Sequence, residues 1–238
     1  MATLTVFPDP NPETNTVDGY CEHSGLVWAT VRSATAAALG DDSAASNTTA
    51  FTSDLNGITF TITRSFFLFN TSSLGAGATI SAAVISFNAQ GTKANGDSTS
   101  LIIVDGTPAS NTAIVAEDYD QTGSTEHGSI ALSAWVETDG TYNDVTLDAS
   151  GIAAISKTGI TKFAGRLALD LNNVIPTGNN YIGIYFADQA GTSNDPKLVI
   201  TYTPGLANVK TINGLATASM KTFNGLANAS VKSINGLT

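Results

Sequence analysis

A single cysteine, Cys21, stands among 238 residues, so neither a disulfide framework nor a cysteine-ligated zinc site is available. Basic side chains are also scarce. Ten Lys plus Arg against 20 Asp plus Glu give a formal net charge of −10, with a pI near 4.3. Nucleic-acid binding needs a clustered basic face, and this balance argues against it. Charged residues of all kinds make up 13% of the chain, about half of the ~25% of a typical soluble domain. No apolar run approaches the roughly 20 residues that cross a bilayer, so no membrane span is expected. The opening residues Met1 to Val6 carry no Lys or Arg, and Pro8, Pro10 and Pro12 follow at once. Lacking both a charged and an apolar leader region, the chain is not expected to be exported by an ordinary signal peptide.

What remains is rich in small and β-forming residues. Thr and Ser together number 55 and Gly 22, and hydrophobic residues reach 42%. With a mean hydropathy of +0.10, most of the chain is expected to fold rather than stay disordered. The length suits one β-sandwich or barrel.

The clearest strand is 58–70. Ile58, Phe60 and Ile62 alternate with Thr59, Thr61 and Thr63, the period of two of a half-buried strand. A bend is expected near Arg64-Ser65, leading into the core run Phe66-Phe67-Leu68-Phe69. Further strands are expected at 4–7, 25–32, 78–89, 101–104, 130–136, 142–147, 163–171, 181–187 and 197–203. In 78–89, Ile80, Ala82, Val84 and Ser86 take one face and Ala83, Ile85 and Phe87 the other. Residues 33–57 read as a loop with turns at Gly40 and Asn56-Gly57. Residues 91–99 read as a polar hairpin loop and 105–128 as an acidic connection. Ile152 and Ile155, three apart and ahead of Gly159, predict one short helix over 150–158 with Ser150 as its cap. No strand–helix alternation recurs, so the expectation for residues 1–204 is all-β: an antiparallel, jelly-roll-like β-sandwich with one short helix.

Residues 205–238 differ from this body. They contain three Lys and no acid, which leaves about −13 on the rest. An eleven-residue unit recurs there, aligning Lys210, Lys221 and Lys232, then Ile212, Phe223 and Ile234, then Leu215, Leu226 and Leu237. An Asn-Gly pair sits inside every copy. Glycine costs roughly 1 kcal/mol in a helix, and Asn-Gly is the preferred two-residue hairpin turn. Each unit is therefore expected to be strand, turn, strand, and the segment a C-terminal β-repeat tail. So small a unit cannot bury a core alone. The residues expected to form its assembly interface are Val209, Lys210, Ile212, Leu215, Met220, Lys221, Phe223, Leu226, Val231, Lys232, Ile234 and Leu237. The plainer alternative is a flexible tether.

Two stretches carry a resemblance. Arg64-Ser65-Phe66-Phe67-Leu68-Phe69-Asn70-Thr71-Ser72-Ser73-Leu74 and Ala78 to Ile85 resemble the core motif of DNRLRE-type modules, with Gly75 in place of that motif's proline. Asn194 to Tyr202 is similar to the last strand of the same modules. The resemblance implies a jelly-roll sandwich of the carbohydrate-binding kind, found on bacterial surface and phage-encoded proteins. The Lys-Thr-Ile-Asn-Gly-Leu unit is similar to short C-terminal repeats on phage structural proteins. Neither resemblance implies a catalytic residue.

Candidate chemistry is sparse. His23 beside Ser24, and His127 beside Glu126, are the only histidines, and neighbours in sequence do not make a triad. Cys21 is expected to be inert. Asp118 with Asp120, and Asp188 with Asp195, are the carboxylates best placed for a glycosidase pair or for calcium, the one metal considered. No other cofactor is expected. Trp28, Trp135, Tyr119, Tyr142, Tyr181 and Tyr185 would supply a sugar-stacking platform or simply fill a core. The leading expectation is a non-enzymatic virion structural protein of a tailed phage, a decoration, fibre or appendage subunit on the particle surface. Its tail would make it a homo-oligomer, preferably a trimer. The alternatives are a carbohydrate-binding adhesin, with a host glycan as partner, and a polysaccharide-degrading enzyme.

Overall fold

The computed structural model describes residues 1–205 and, in the tail, the backbone of 211–212, 215–216, 222–223 and 226–227. The body runs β1 (Ala2–Val6), β2 (Asp18–Gly25), α1 (Trp28–Arg32), β3 (Leu39–Asp41), β4 (Ser46–Asn56) and β5 (Thr59–Asn70), then β6 (Thr79–Asn95), β7 (Ser100–Asp105), β8 (Gly128–Ala131) and β9 (Tyr142–Thr146). It closes with α2 (Ala149–Ala154), β10 (Ile160–Leu167), α3 (Ala168–Leu171), β11 (Asn180–Tyr185) and β12 (Lys197–Thr203). Two 3-10 turns, Ser72–Leu74 and Ala116–Asp120, complete it.

The protein is mostly β, as its composition predicts. Twelve antiparallel strands form one sheet curled into a half-barrel. The path runs β1-β12-β6-β11-β4-β5-β10-β7-β8, with β2 and β3 branching from β5 and β9 from β6. Curling depends on β6. Its first half pairs with β12 and β9, its last seven residues with β11, and Gly91 at φ +72 marks the change of direction.

Both faces of the sheet are covered, and β5 shows why. Phe67 and Phe69 enter a core inside the curl, with Phe51, Phe87, Phe163 and Phe186. Phe66 and Leu68, one step out of phase, enter a second core outside it, under α1 and the 105–128 connection. The apolar run expected to be core is therefore shared between two cores, as the alternation of a strand requires.

Several local expectations change. The strand expected at 25–32 stops at Gly25, and Trp28 to Arg32 coil into α1, because Trp28 and Val31, three apart, both bury on one side. The loop expected at 33–57 contains β4. Its Ser, Thr and Asn residues give no local signal, yet Ala50 to Asp54 are buried, and pairing to β5 and β11 on its two edges decides its state. The bend expected at Arg64-Ser65 is absent, since β5 is continuous. Residues 91–95 extend β6 instead of opening a hairpin, and β7 pairs with β10 and β8, not with β6. The strand expected at 130–136 is the shorter β8. Residues 168–171 turn into α3 rather than ending a strand. Among the described residues there are thus three short helices where one was expected, and α2 starts one residue earlier than expected, capped by Asp148 through Gly151 N at 2.8 Å, not by Ser150.

In the tail, Thr211 and Ile212 pair antiparallel with Ala216 and Leu215, and Thr222 and Phe223 with Ala227 and Leu226. Each pair flanks one Asn-Gly in the sequence; the expected turn residues themselves, 213–214 and 224–225, lie outside the described residues. The third repeat and the interface candidates Val209, Lys210, Met220, Lys221, Val231, Lys232, Ile234 and Leu237 lie outside the described residues.

Candidate functional site

β2 ends where Gly25 faces Phe60 of β5. The next residues, Leu26 and Val27, find no core and stay exposed before α1 turns Trp28 inward. The indole packs edge-on against Phe60, centroids 5.8 Å apart, and donates from Nε1 to Asn173 Oδ1 at 3.1 Å. Asn173 belongs to the turn that ends α3. It adopts φ +56, its N–H reaches Asp170 O, and Val174 N reaches Leu169 O. These two bonds make a Schellman motif, in which asparagine is the usual substitute for glycine at the left-handed position. The motif throws Val174 and Ile175 outward beside Leu26.

The result is an open groove of ≈ 420 Å³ with Trp28 and Phe60 as floor and Leu26, Val27 and Ile175 as rim. Leu26 is 67% exposed, Ile175 59% and, two residues before Phe60, Ile58 76%. Of nine exposed large hydrophobics among the described residues, four line this groove or adjoin its lining in sequence. Single exposed apolar residues are ordinary; a cluster marks an interaction surface.

The groove rests on a buried charge network. Asp170 accepts from Arg64 Nε and Nη2, both at 2.8 Å, and from Arg166 Nε and Nη2 at 2.7 and 2.8 Å. Arg64 also lies 4.1 Å over the Tyr119 ring and donates to Tyr119 O and Arg32 O. Arg32 in turn donates to Asp170 O and Leu171 O at the end of α3. Burial alone would raise the Asp170 carboxyl, but the two guanidinium groups outweigh it and hold it below the usual carboxylate range.

The chain matches no protein-family model and no curated protein sequence.

The candidates named from sequence scatter. Tyr119 is buried and donates to Val31 O, and Trp135 is buried in the inner core. Tyr142 lies under Lys197 Nζ at 3.5 Å, Tyr185 bonds Asp139, and Tyr181 is half-buried on β11. The six aromatics are thus split between the two cores and the surface instead of forming one platform. Burial pushes the Cys21 thiol up to about 12, where the reactive thiolate is scarce. Asp118 braces its loop by accepting from Ala109 N and Val115 N. Asp120 accepts from Gln121, Asp188 from Asn11 N and Asp195 from Gln189. Among the described residues no three His, Cys, Asp or Glu side chains converge to hold a metal.

One arrangement escaped the sequence. His127 Nδ1 lies 2.8 Å from Ser150 Oγ, and Nε2 lies 3.0 Å from Asp105 Oδ1, off the line of a hydrogen bond. It has the membership of a nucleophilic triad but the wrong proton. Ser150 has one hydroxyl hydrogen, and two acceptor-only partners claim it: Asp148 Oδ1 at 2.7 Å and Glu126 O at 3.0 Å. Nδ1 therefore donates to Oγ, the reverse of what a general base does. The cluster braces β8 against α2.

Asp18, absent from the sequence forecast, is buried at the start of β2 and accepts from Ala187 N at 3.0 Å. Burial, with the nearby charges of Asp188 and Asp195, pushes its carboxyl well above the ordinary 3.8. A raised folded-state value favours the protonated form, so stability is lost as pH rises through that value. Asp18→Asn keeps the acceptor and removes the charge. Its melting temperature is expected to exceed the parent's at pH 7, with the gain vanishing below about pH 4; equal melting curves at both pH values refute this.

Proposed function

We propose that the protein is a non-enzymatic structural subunit of a tailed-phage virion, a decoration, fibre or appendage component, in which the acidic body faces solvent and the C-terminal repeats drive assembly. One observation carries this reading: the same four-residue antiparallel pair occurs twice, eleven residues apart. Two-residue strands are far below independent stability, so such units are made to be covered by something larger. The similarity of the repeat to phage C-terminal repeats, and of 64–85 to DNRLRE-type modules, supports the same reading. The preferred assembly is a homotrimer at the particle surface.

The carbohydrate-binding alternative rests on the second resemblance, but the faces of Trp28 and Trp135 are buried. Substituting either one would test core packing before it tested a glycan.

Deleting 205–238 is expected to leave a folded body that no longer oligomerises or enters particles, read by light scattering on a sizing column and by particle composition. Normal assembly of the truncated chain would overturn the proposal.

A further inference from the structure

We infer that the Trp28–Phe60 groove is the receptor for the C-terminal repeats of a second copy of this chain, so that subunits join head to tail. The inference rests on the assembly role proposed above for the tail.

The groove needs a cover, and the tail needs a surface. The rim offers exposed aliphatic side chains of Leu26, Val27 and Ile175 around an aromatic floor. The tail offers paired apolar positions in its first two repeats, Ile212 opposite Leu215 and Phe223 opposite Leu226. Charge agrees: the tail carries three Lys and no acid, while all 20 Asp and Glu lie in the body. Opposite signs on the two partners favour their encounter and disfavour tail–tail association.

Position keeps the first repeat from the groove of its own chain. The groove sits at the beginning of β5, where Phe60 faces Gly25. The body ends at the opposite end of β5: Asn70 leads through 71–78 into β6, Thr203 pairs with Thr79, and Gly205 packs on Gly77. Twelve residues of strand separate the two ends by roughly 35 Å at about 3.3 Å per residue. Thr211 follows Gly205 by six residues, which span about 20 Å at most. The first hairpin therefore does not reach the groove of its own chain, whereas a second copy presents its groove at any distance. Two different surfaces meeting in this way make a heterologous contact. Such a contact closes into a ring where the rotation allows it, the preferred trimer included, and otherwise propagates.

The test uses the full-length chain and two variants. Leu26→Asp with Ile175→Asp spoils the groove at exposed positions outside both cores. Ile212→Asp with Phe223→Asp and Ile234→Asp spoils the tail. Mass is read by light scattering on a sizing column, and unchanged thermal melting shows that the body is folded. The parent is expected to assemble. Each variant alone is expected to run at the single-chain mass of 24.4 kDa. Mixed in equal amounts, the intact tail of one fills the intact groove of the other, giving a complex of twice that mass that cannot grow. If the groove variant assembles like the parent while the tail variant does not, the tail docks elsewhere: the groove inference falls and the assembly reading stands. If all three chains assemble alike, or the parent is itself a single chain, both fall.

Discussion

Asp170→Ala is expected to cost about 3–5 kcal/mol, the range for removing one partner of a buried ion pair. At ~2–4 °C per kcal/mol for a domain of this size, the melting temperature falls by about 6–20 °C. The origin is specific. Asp170 is fully buried and fills the forks of Arg64 and Arg166 with four short bonds. Without it, two guanidinium groups remain out of water with only carbonyl partners, among them Tyr119 O, Arg32 O and Gly123 O. Asp170 also lies one residue inside the turn that presents Asn173 and Ile175, so the same change should loosen the groove. The pH dependence separates this from generic damage. A carboxyl held below its ordinary 3.8 contributes stability that is complete above that value and is lost as pH falls through the depressed one. Parent and variant should therefore converge on acidification below about pH 4. Asp18→Asn should behave in the opposite sense, gaining at neutral pH. Chemical denaturation of both variants at pH 7 and near pH 3 checks the two signs together. A loss under about 1 kcal/mol for Asp170→Ala would mean that the network adds no more than an exposed pair does.

Phe67→Ala is expected to cost about 3–5 kcal/mol, as large-to-small changes in aromatic cores do. Its ring meets Phe87 at 4.8 Å, Phe51 at 6.0 Å and Phe186 at 6.1 Å between centroids. Phe66→Ala should cost a similar amount through the other core. The informative measurement is the pair of double variants. Phe66 and Phe67 are neighbours in sequence but bury on opposite faces of β5, so their losses should add within about 0.5 kcal/mol. Phe67 and Phe87 share one contact, so their losses should deviate from the sum by about 0.5–1.5 kcal/mol. Leucine can replace alanine where a double variant is too unstable to measure. Strong coupling between Phe66 and Phe67 would contradict the two-core arrangement.

The parts of this fold that can be read from sequence are those whose local pattern and environment agree. β12 occupies 197–203 as expected, because its alternation matches the single face it buries. β5 is legible for the same reason as far as Ile62. Beyond that, burial on both faces removes the alternation, which is why the strand looked bent at Arg64. β4 is illegible because Ser46 to Thr49 carry no apolar signal and its burial comes from strands far along the chain. The groove was half legible. Trp28 stood out as an aromatic of interest, but its partners Phe60 and Asn173 come from elements 32 and 145 residues away, and no local rule joins them. The Arg64–Asp170 pair, 106 residues apart, and the proton direction at Ser150 are likewise properties of the folded chain alone.

The placement of β12 has a mechanical consequence. The tail leaves the body from the end of this strand, and β12 lies between β1 and β6, with five residue pairs on one side and seven on the other. A pull along the strand loads both ladders in shear, so many hydrogen bonds must break together. The same pull at the edge of a sheet would peel them one at a time. If the tail docks as proposed, tension on it enters the body through a strand paired on both edges, and the linkage should give way at the docked repeats before the body is torn open.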